Sequence, residues 1–360
     1  MRAAASLLIA LALLGGCGEK FPPVNGCVPA GGMNPTCSFS SPEDMELLPD
    51  GRTLLISQMG TADGRRPGSF ALFDTGSETI TRLPQFSASD EPPWGDAACT
   101  AAPGAAFSPH GIHLGRRADG QWQVLAVNHG GRESVEFFQL LEESEGYRLA
   151  WRGCALAPPD SYLNDVAALP GGGFVATHMF PRSSASIGPV SLALLRGMLG
   201  FDTGHVLHWD GQRFAVATGT RMPFPNGIQA SRDGKALFVN AYIAGEVRKI
   251  GFPGGELLGK ASVKGPDNSQ WDAEGRLLVA SHTAGIVAMG ACFGISDGAC
   301  GAAFAVVAVD PGSLKADTIL EHRGAPMGAA TVAQQVGDNL YLGSFVGDRI
   351  VRAPMPAQAR

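Results

Sequence analysis

The feature that most restricts the fold of this chain is a repeat. "PEDMELLPDGRTLLIS" begins at Pro42, "PHGIHLGRRADGQWQVLAVNH" at Pro109, "LNDVAALPGGGFVATH" at Leu163, "PNGIQASRDGKALFVNAY" at Pro225 and "PDNSQWDAEGRLLVASH" at Pro266. A weaker sixth copy, "PMGAATVAQQVGDNLYLGSF", begins at Pro326. Each joins a polar or small head to a short apolar run, a glycine turn and a second apolar run, which is the sequence sign of a β-hairpin. Gly51, Gly172, Gly234 and Gly275 stand at one fixed offset from Glu43, Asn164, Asn226 and Asp267. The copies average about 57 residues, somewhat longer than the ~40–50 of a propeller blade, with loops to take the excess. The expected fold is all-β: one six-bladed β-propeller of four-stranded blades over residues 41–356. A β-sandwich would not explain six heads at one place in six hairpins. The 49 glycines and 25 prolines suit many strands joined by tight turns and disfavour long helices.

In a propeller the innermost strand of each blade lines the central channel, so the heads converge into a ring. They read Glu43-Asp44, His110-Gly111, Asn164-Asp165, Asn226-Gly227, Asp267-Asn268 and the non-ionisable Met327-Gly328. Oxygen donors dominate, and calcium takes such a set, whereas zinc or copper prefers more imidazole or thiolate. A single Asn–Asp pair is more often a local backbone cap; a ring of them at matched positions favours a metal. His110 heads the second copy and His129 ends its second strand, so the hairpin brings both to one end of the blade. A neutral imidazole there suits a general base, and a second suits an orienting or relaying partner. His178 and His282 end second strands in a similar way and are expected at the channel mouth as substrate contacts.

The net charge of −6 gives no reason to expect nucleic acid. The N-terminus "MRAAASLLIALALLGGC" reads as an export signal over residues 1–16, followed by a linker over 17–40. Its end resembles the bacterial lipoprotein cleavage box, which implies a lipid-modified Cys17, membrane attachment through that anchor, and residence in the cell envelope, at the outer membrane or its periplasmic side. An ordinary secretory signal with an incidental cysteine is the alternative. The remaining six cysteines suit an oxidising compartment. Cys27 with Cys37, Cys99 with Cys154, and Cys292 with Cys300 are plausible pairs, the first and third on closeness alone.

The strings "SPHGI", "VNH…ESVEFFQL", "LND", "PNG…SRDGK", "PDN" and "NLYLGS" together resemble the paraoxonase/arylesterase family, within the wider gluconolactonase-like propellers. The resemblance runs over nearly the whole mature chain. It implies two calcium ions and hydrolysis of lactones and esters. Carried onto this sequence, a catalytic calcium falls to Glu43, Asn164, Asn226, Asp267 and Asn268, and a structural calcium to Asp44, Asp165 and the carbonyl of Ile112. His110 and His129 match the family's histidine dyad, and Phe224 an aromatic lining the pocket. Residues 191–201 match an apolar helix that covers the site and approaches lipid, or simply packs on the propeller face. The family's disulfide to the last strand has no counterpart, and the loop after the first copy differs, so substrate identity does not transfer.

The function expected is calcium-dependent hydrolysis of a small lactone or ester, with calcium as Lewis acid on the carbonyl and the dyad activating water. No GxSxG elbow supports a serine nucleophile. The alternatives are a non-catalytic, calcium-stabilised propeller that binds an envelope ligand, and a single-metal sugar lactonase of gluconolactonase type.

Overall fold

A computed structural model describes residues 21–356 apart from 62–65, 84–85, 87–90, 145, 185 and 188–189. The export signal and Cys17 lie outside the described residues.

The repeat becomes six four-stranded antiparallel sheets, and the molecule is a six-bladed β-propeller. The innermost strands of blades 1 to 6 are Pro42–Leu47, Pro109–Arg116, Leu163–Ala168, Pro225–Ala230, Pro266–Trp271 and Ala330–Val336. In each blade the glycine turn leads to the second strand. Gly51 (φ 70°) and Gly275 (φ 80°) occupy the left-handed region that side-chain-bearing residues avoid. Blades pack face to face through large apolar side chains. Phe70 of blade 1 meets Phe138 of blade 2 edge-on at 5.4 Å, and Phe137 of blade 2 meets Phe174 of blade 3 at 5.9 Å. Each such side chain contributes about 1.5–3 kcal/mol by leaving water.

The register carries a repeated irregularity. In all six blades the inner strand holds one extra residue against the second strand, between Pro42 and Asp44, Pro109 and Ile112, Leu163 and Val166, Pro225 and Ile228, Pro266 and Ser269, and Ala330 and Val332. In blades 1 to 5 the bulges coincide with the heads. In blade 6 the bulged residue is Thr331, so the head expected at Met327-Gly328 is displaced. Met327 and Gly328 precede the strand, where Gly328 N–H donates to the Cys300 carbonyl.

Closure comes from the N-terminus. Residues Asn34–Cys37, expected within the linker, form the outermost strand of blade 6 and pair Asn34 with Arg352 and Cys37 with Arg349. A sheet edge left by the C-terminal strands needs a partner, and this strand supplies it. Buried Arg349 ties the seam: Nη1 donates to the carbonyls of Gly26 (2.5 Å) and Pro326 (3.2 Å) and Nε to Asp348 (2.8 Å). The disulfides are Cys27–Cys37, Cys99–Cys154 and Cys292–Cys300.

Between the second and third strands of blade 3 the chain leaves the propeller and forms the helix Leu192–Met198. Ser191 caps it, accepting from Leu194 N–H at 3.1 Å. The excursion departs from the strand end that carries the heads. Ala193 and Gly197 are buried, and Gly197 sits against Ile243 of blade 4 so closely that a Cβ would lie 2.6 Å from its Cδ1. Leu192, Leu195 and Met198 remain exposed.

Candidate active site

Successive side chains of a regular strand leave on opposite faces, and an extra residue re-aims one of them. The bulges therefore let both members of a head pair stay among the inner strands. Glu43, Asp44, His110, Asn164, Asp165, Asn226, Asp267 and Asn268 are each at most 9% exposed. They meet across blades. Asn268 Nδ2 donates to Glu43 Oε1 at 2.9 Å, His110 Nε2 lies 3.7 Å from the same oxygen, and the Asn226 side chain hydrogen-bonds Asp267. Thr331, the head of blade 6, donates its hydroxyl to the Glu43 carbonyl at 2.6 Å.

Four buried oxygens of this group have no hydrogen-bond partner: Glu43 Oε2, Asn164 Oδ1, Asn226 Oδ1 and Asn268 Oδ1. A buried acceptor left unpaired costs about 1–3 kcal/mol, so four together, from four blades, mark a place built for something that accepts lone pairs. The carboxylates agree. Burial, then the charges of Asp44 and Asp267, push Glu43 well above the usual range, and burial raises Asp267 to about 8. An all-oxygen donor set with excess negative charge fits a hard divalent cation.

Asp44 and Asp165 behave differently. Asp44 accepts from Met45 N–H and, across the blade boundary, from Ile112 N–H, both at 2.8 Å. Asp165 repeats the pattern with Val166 N–H at 2.7 Å and Ile228 N–H at 2.8 Å. Each staples its blade to the next. Burial raises both, Asp44 to about 7. The structure thus brings Ile112, whose carbonyl the family resemblance assigns to the structural ion, to Asp44 through its amide.

The two imidazoles also come together, with ring centroids 5.1 Å apart. His110 Nδ1 donates to the Asn164 carbonyl at 3.0 Å; burial, then neighbouring His129, pushes its pKa down to about 3. His129 Nδ1 meets both oxygens of Glu133 at 3.0 and 3.2 Å, and its Nε2 is buried without a partner. Glu133 lies in the loop after the second strand, outside the repeated hairpin, where no sequence pattern marks it.

An aromatic rim runs from this pair around the mouth. Tyr162 stacks on His129 (4.6 Å), followed by Phe180 (5.3 Å), Phe224 (5.3 Å) and Tyr242 (5.7 Å). The Tyr242 hydroxyl reaches His282 Nδ1 at 3.0 Å, and His282 lies 3.4 Å from Asp267 and against Phe345. Phe224 and His282 therefore join the site. His178 does not: its ring packs on His205 at 4.8 Å and faces a groove of about 300 Å³ lined by Pro158, Asp160 and Val216. The reason is register. His178 pairs with Leu163 as Asn128 pairs with Pro109, so the residue matching His129 in blade 3 is Met179. One residue along a strand is the other face.

Residues 98–347 match the sequence pattern of the family described as Arylesterase. The chain belongs to the arylesterase family. Membership makes it a hydrolase of the lactonase or esterase type, and the matched stretch holds the site residues above except those of blade 1, among them Glu43 and Asp44. No curated protein matches the sequence significantly. Among solved structures, a luciferin-regenerating enzyme is 13% identical, with 89% of this chain and 96% of that one covered and a TM-score of 0.51. Regucalcin, a calcium-binding protein from Agrobacterium tumefaciens, is 15% identical, with 95% and 96% covered and a TM-score of 0.50. At these identities the likeness is one of fold.

Proposed function

We propose that this arylesterase-family protein hydrolyses lactones or aryl esters with the aid of calcium held by Glu43, Asn164, Asn226, Asp267 and Asn268. The observation that carries this reading is the set of four buried, unpartnered oxygens lying beside two imidazoles. When bound, a cation there supplies Lewis acidity for an ester carbonyl and charge for the developing oxyanion. His110 and His129 serve as the bases that take a proton from water. The aromatic rim from Tyr162 to Tyr242 excludes water and accepts an apolar or aryl substrate edge. A second calcium belongs with Asp44 and Asp165, supported by their matched geometry and their burial as carboxylates.

The test is a panel of lactones and aryl esters turned over by purified protein, with calcium and with EDTA. Full activity in chelator refutes the calcium mechanism, and no turnover of any ester refutes the hydrolytic reading in favour of a binding propeller. From its N-terminal sequence we further propose that the protein is a lipoprotein of the cell envelope, anchored at Cys17. Mass spectrometry of the mature N-terminus checks this, and a free, non-acylated end there rules it out.

A further inference from the structure

We propose that Glu133 and His129 form a carboxylate–imidazole pair, and that Nε2 of His129 is the atom that takes the proton from the attacking water. Glu133 is its positioning residue. The inference rests on the dyad reading above and divides the labour within it.

Each nitrogen of the two rings has a distinct environment. An ionised carboxylate only accepts hydrogen bonds, so the contacts of 3.0 and 3.2 Å to Glu133 place the proton of neutral His129 on Nδ1. The lone pair is then on Nε2, which is buried and has no partner in the protein. Glu133 itself is fixed. Leu163 N–H donates to Oε1 at 2.6 Å, and Arg182 lies 3.3 Å from Oε2. The ring is held between Tyr162, stacked at 4.6 Å, and His110, tilted at 5.1 Å. The charged or titratable groups facing His129 are thus Glu133 beside it, His110 from the inner strand, Tyr162 from the loop before blade 3, and Arg182 beyond Glu133.

His110 lacks this arrangement. Its Nδ1 proton goes to the neutral carbonyl of Asn164, and its Nε2 faces Glu43 Oε1 at 3.7 Å, a carboxylate that the cation claims. An imidazolium at His129 is stabilised by a dedicated carboxylate; one at His110 is not. A hydrogen-bonded carboxylate fixes the tautomer of an imidazole and stabilises its protonated form, as in hydrolytic triads.

The step balances as follows. Water loses a proton to Nε2 as its oxygen bonds to the carbonyl carbon. The tetrahedral adduct then breaks its bond to the alkoxy oxygen, and the imidazolium returns the proton to that oxygen. A lactone opens to one hydroxy acid, and Glu133 stays ionised throughout.

The experiment compares Glu133→Gln, Glu133→Asp, His129→Gln, His110→Gln and the double variant E133Q/H129Q in saturating calcium. It reads kcat, KM, calcium affinity and Tm. Glu133→Gln is expected to lower kcat by about 10²-fold or more, with KM, calcium affinity and Tm little changed. The double variant should lose no more than His129→Gln, as for residues acting as a unit, and Glu133→Asp should recover part of the loss. Wild-type kcat in Glu133→Gln, or a loss of kcat that comes with lower Tm and that Glu133→Asp does not recover, overturns the role of Glu133. An active His129→Gln beside an inactive His110→Gln moves the base to His110. Full activity in both histidine variants overturns the dyad and this proposal together. Should Glu133→Gln not fold, Glu133→Asp decides: a kcat as high as wild type, with the carboxylate drawn back from Nδ1, refutes the pairing.

Discussion

At the scale of single residues, Asn164 and Asp165 are neighbours with separate work. Asn164 holds His110 through its carbonyl and leaves Oδ1 unpaired in the proposed cation site, whereas Asp165 joins blades 3 and 4 through two amides. Asn164→Ala should weaken calcium binding by about 10-fold or more while barely moving the melting temperature; calcium titration by calorimetry reads this. Asp165→Ala should do the reverse, since two buried amides lose their acceptor at about 1–3 kcal/mol each, measured by urea unfolding. Equal effects of both would refute the division between a catalytic and a structural ion. The same scale shows what a sequence hides. Asn164, Asn226 and Asp267 were legible because they stand, like Glu43, at one offset from the turn glycine of their hairpins. Glu133 was not, because it lies in a loop of no fixed length and gains meaning only when His129 turns toward it. His178 was misjudged by one position, which is enough to reverse the face of a strand.

At the scale of elements, hairpins and their order were readable because turn glycines and head residues recur with the blade. Blade 6 was readable only in part. Its hairpin is present, but the apparent head after Pro326 lies before the strand, and Thr331 takes the place that acids and amides hold elsewhere. The closing strand Asn34–Cys37 has too little alternation to be told from a linker, and its partner lies at the far end of the chain. The seam it makes depends on Arg349, nearly inaccessible to water. Arg349→Met should cost about 1–3 kcal/mol, because it leaves the carbonyls of Gly26 and Pro326 without their donor. Unfolding in urea measures the loss, and an unchanged midpoint would remove the arginine from the account of closure.

At the scale of the whole molecule, a ring of buried carboxylates couples stability to pH and to cations. Asp44 and Asp267, raised by burial to about 7 and about 8, hold protons that the unfolded chain releases near pH 4. Between those values the native state binds more protons than the unfolded state, so stability falls as pH rises. In EDTA the melting temperature should therefore drop from pH 5.5 to pH 8. The proposed calcium, held by the native ring alone, should raise it most at pH 8; thermal scans across that range with and without calcium check both signs. A chelated protein that grows more stable with pH would mean these acids are ionised without help.

The first strand of the propeller is paired with the last. Made in order from the N-terminal side, Asn34–Cys37 has no partner until Arg349–Pro354 follows it. The circle cannot close before both are present, so the outer edge of blade 6 stays unpaired until late in folding, where proteases and folding factors can reach it.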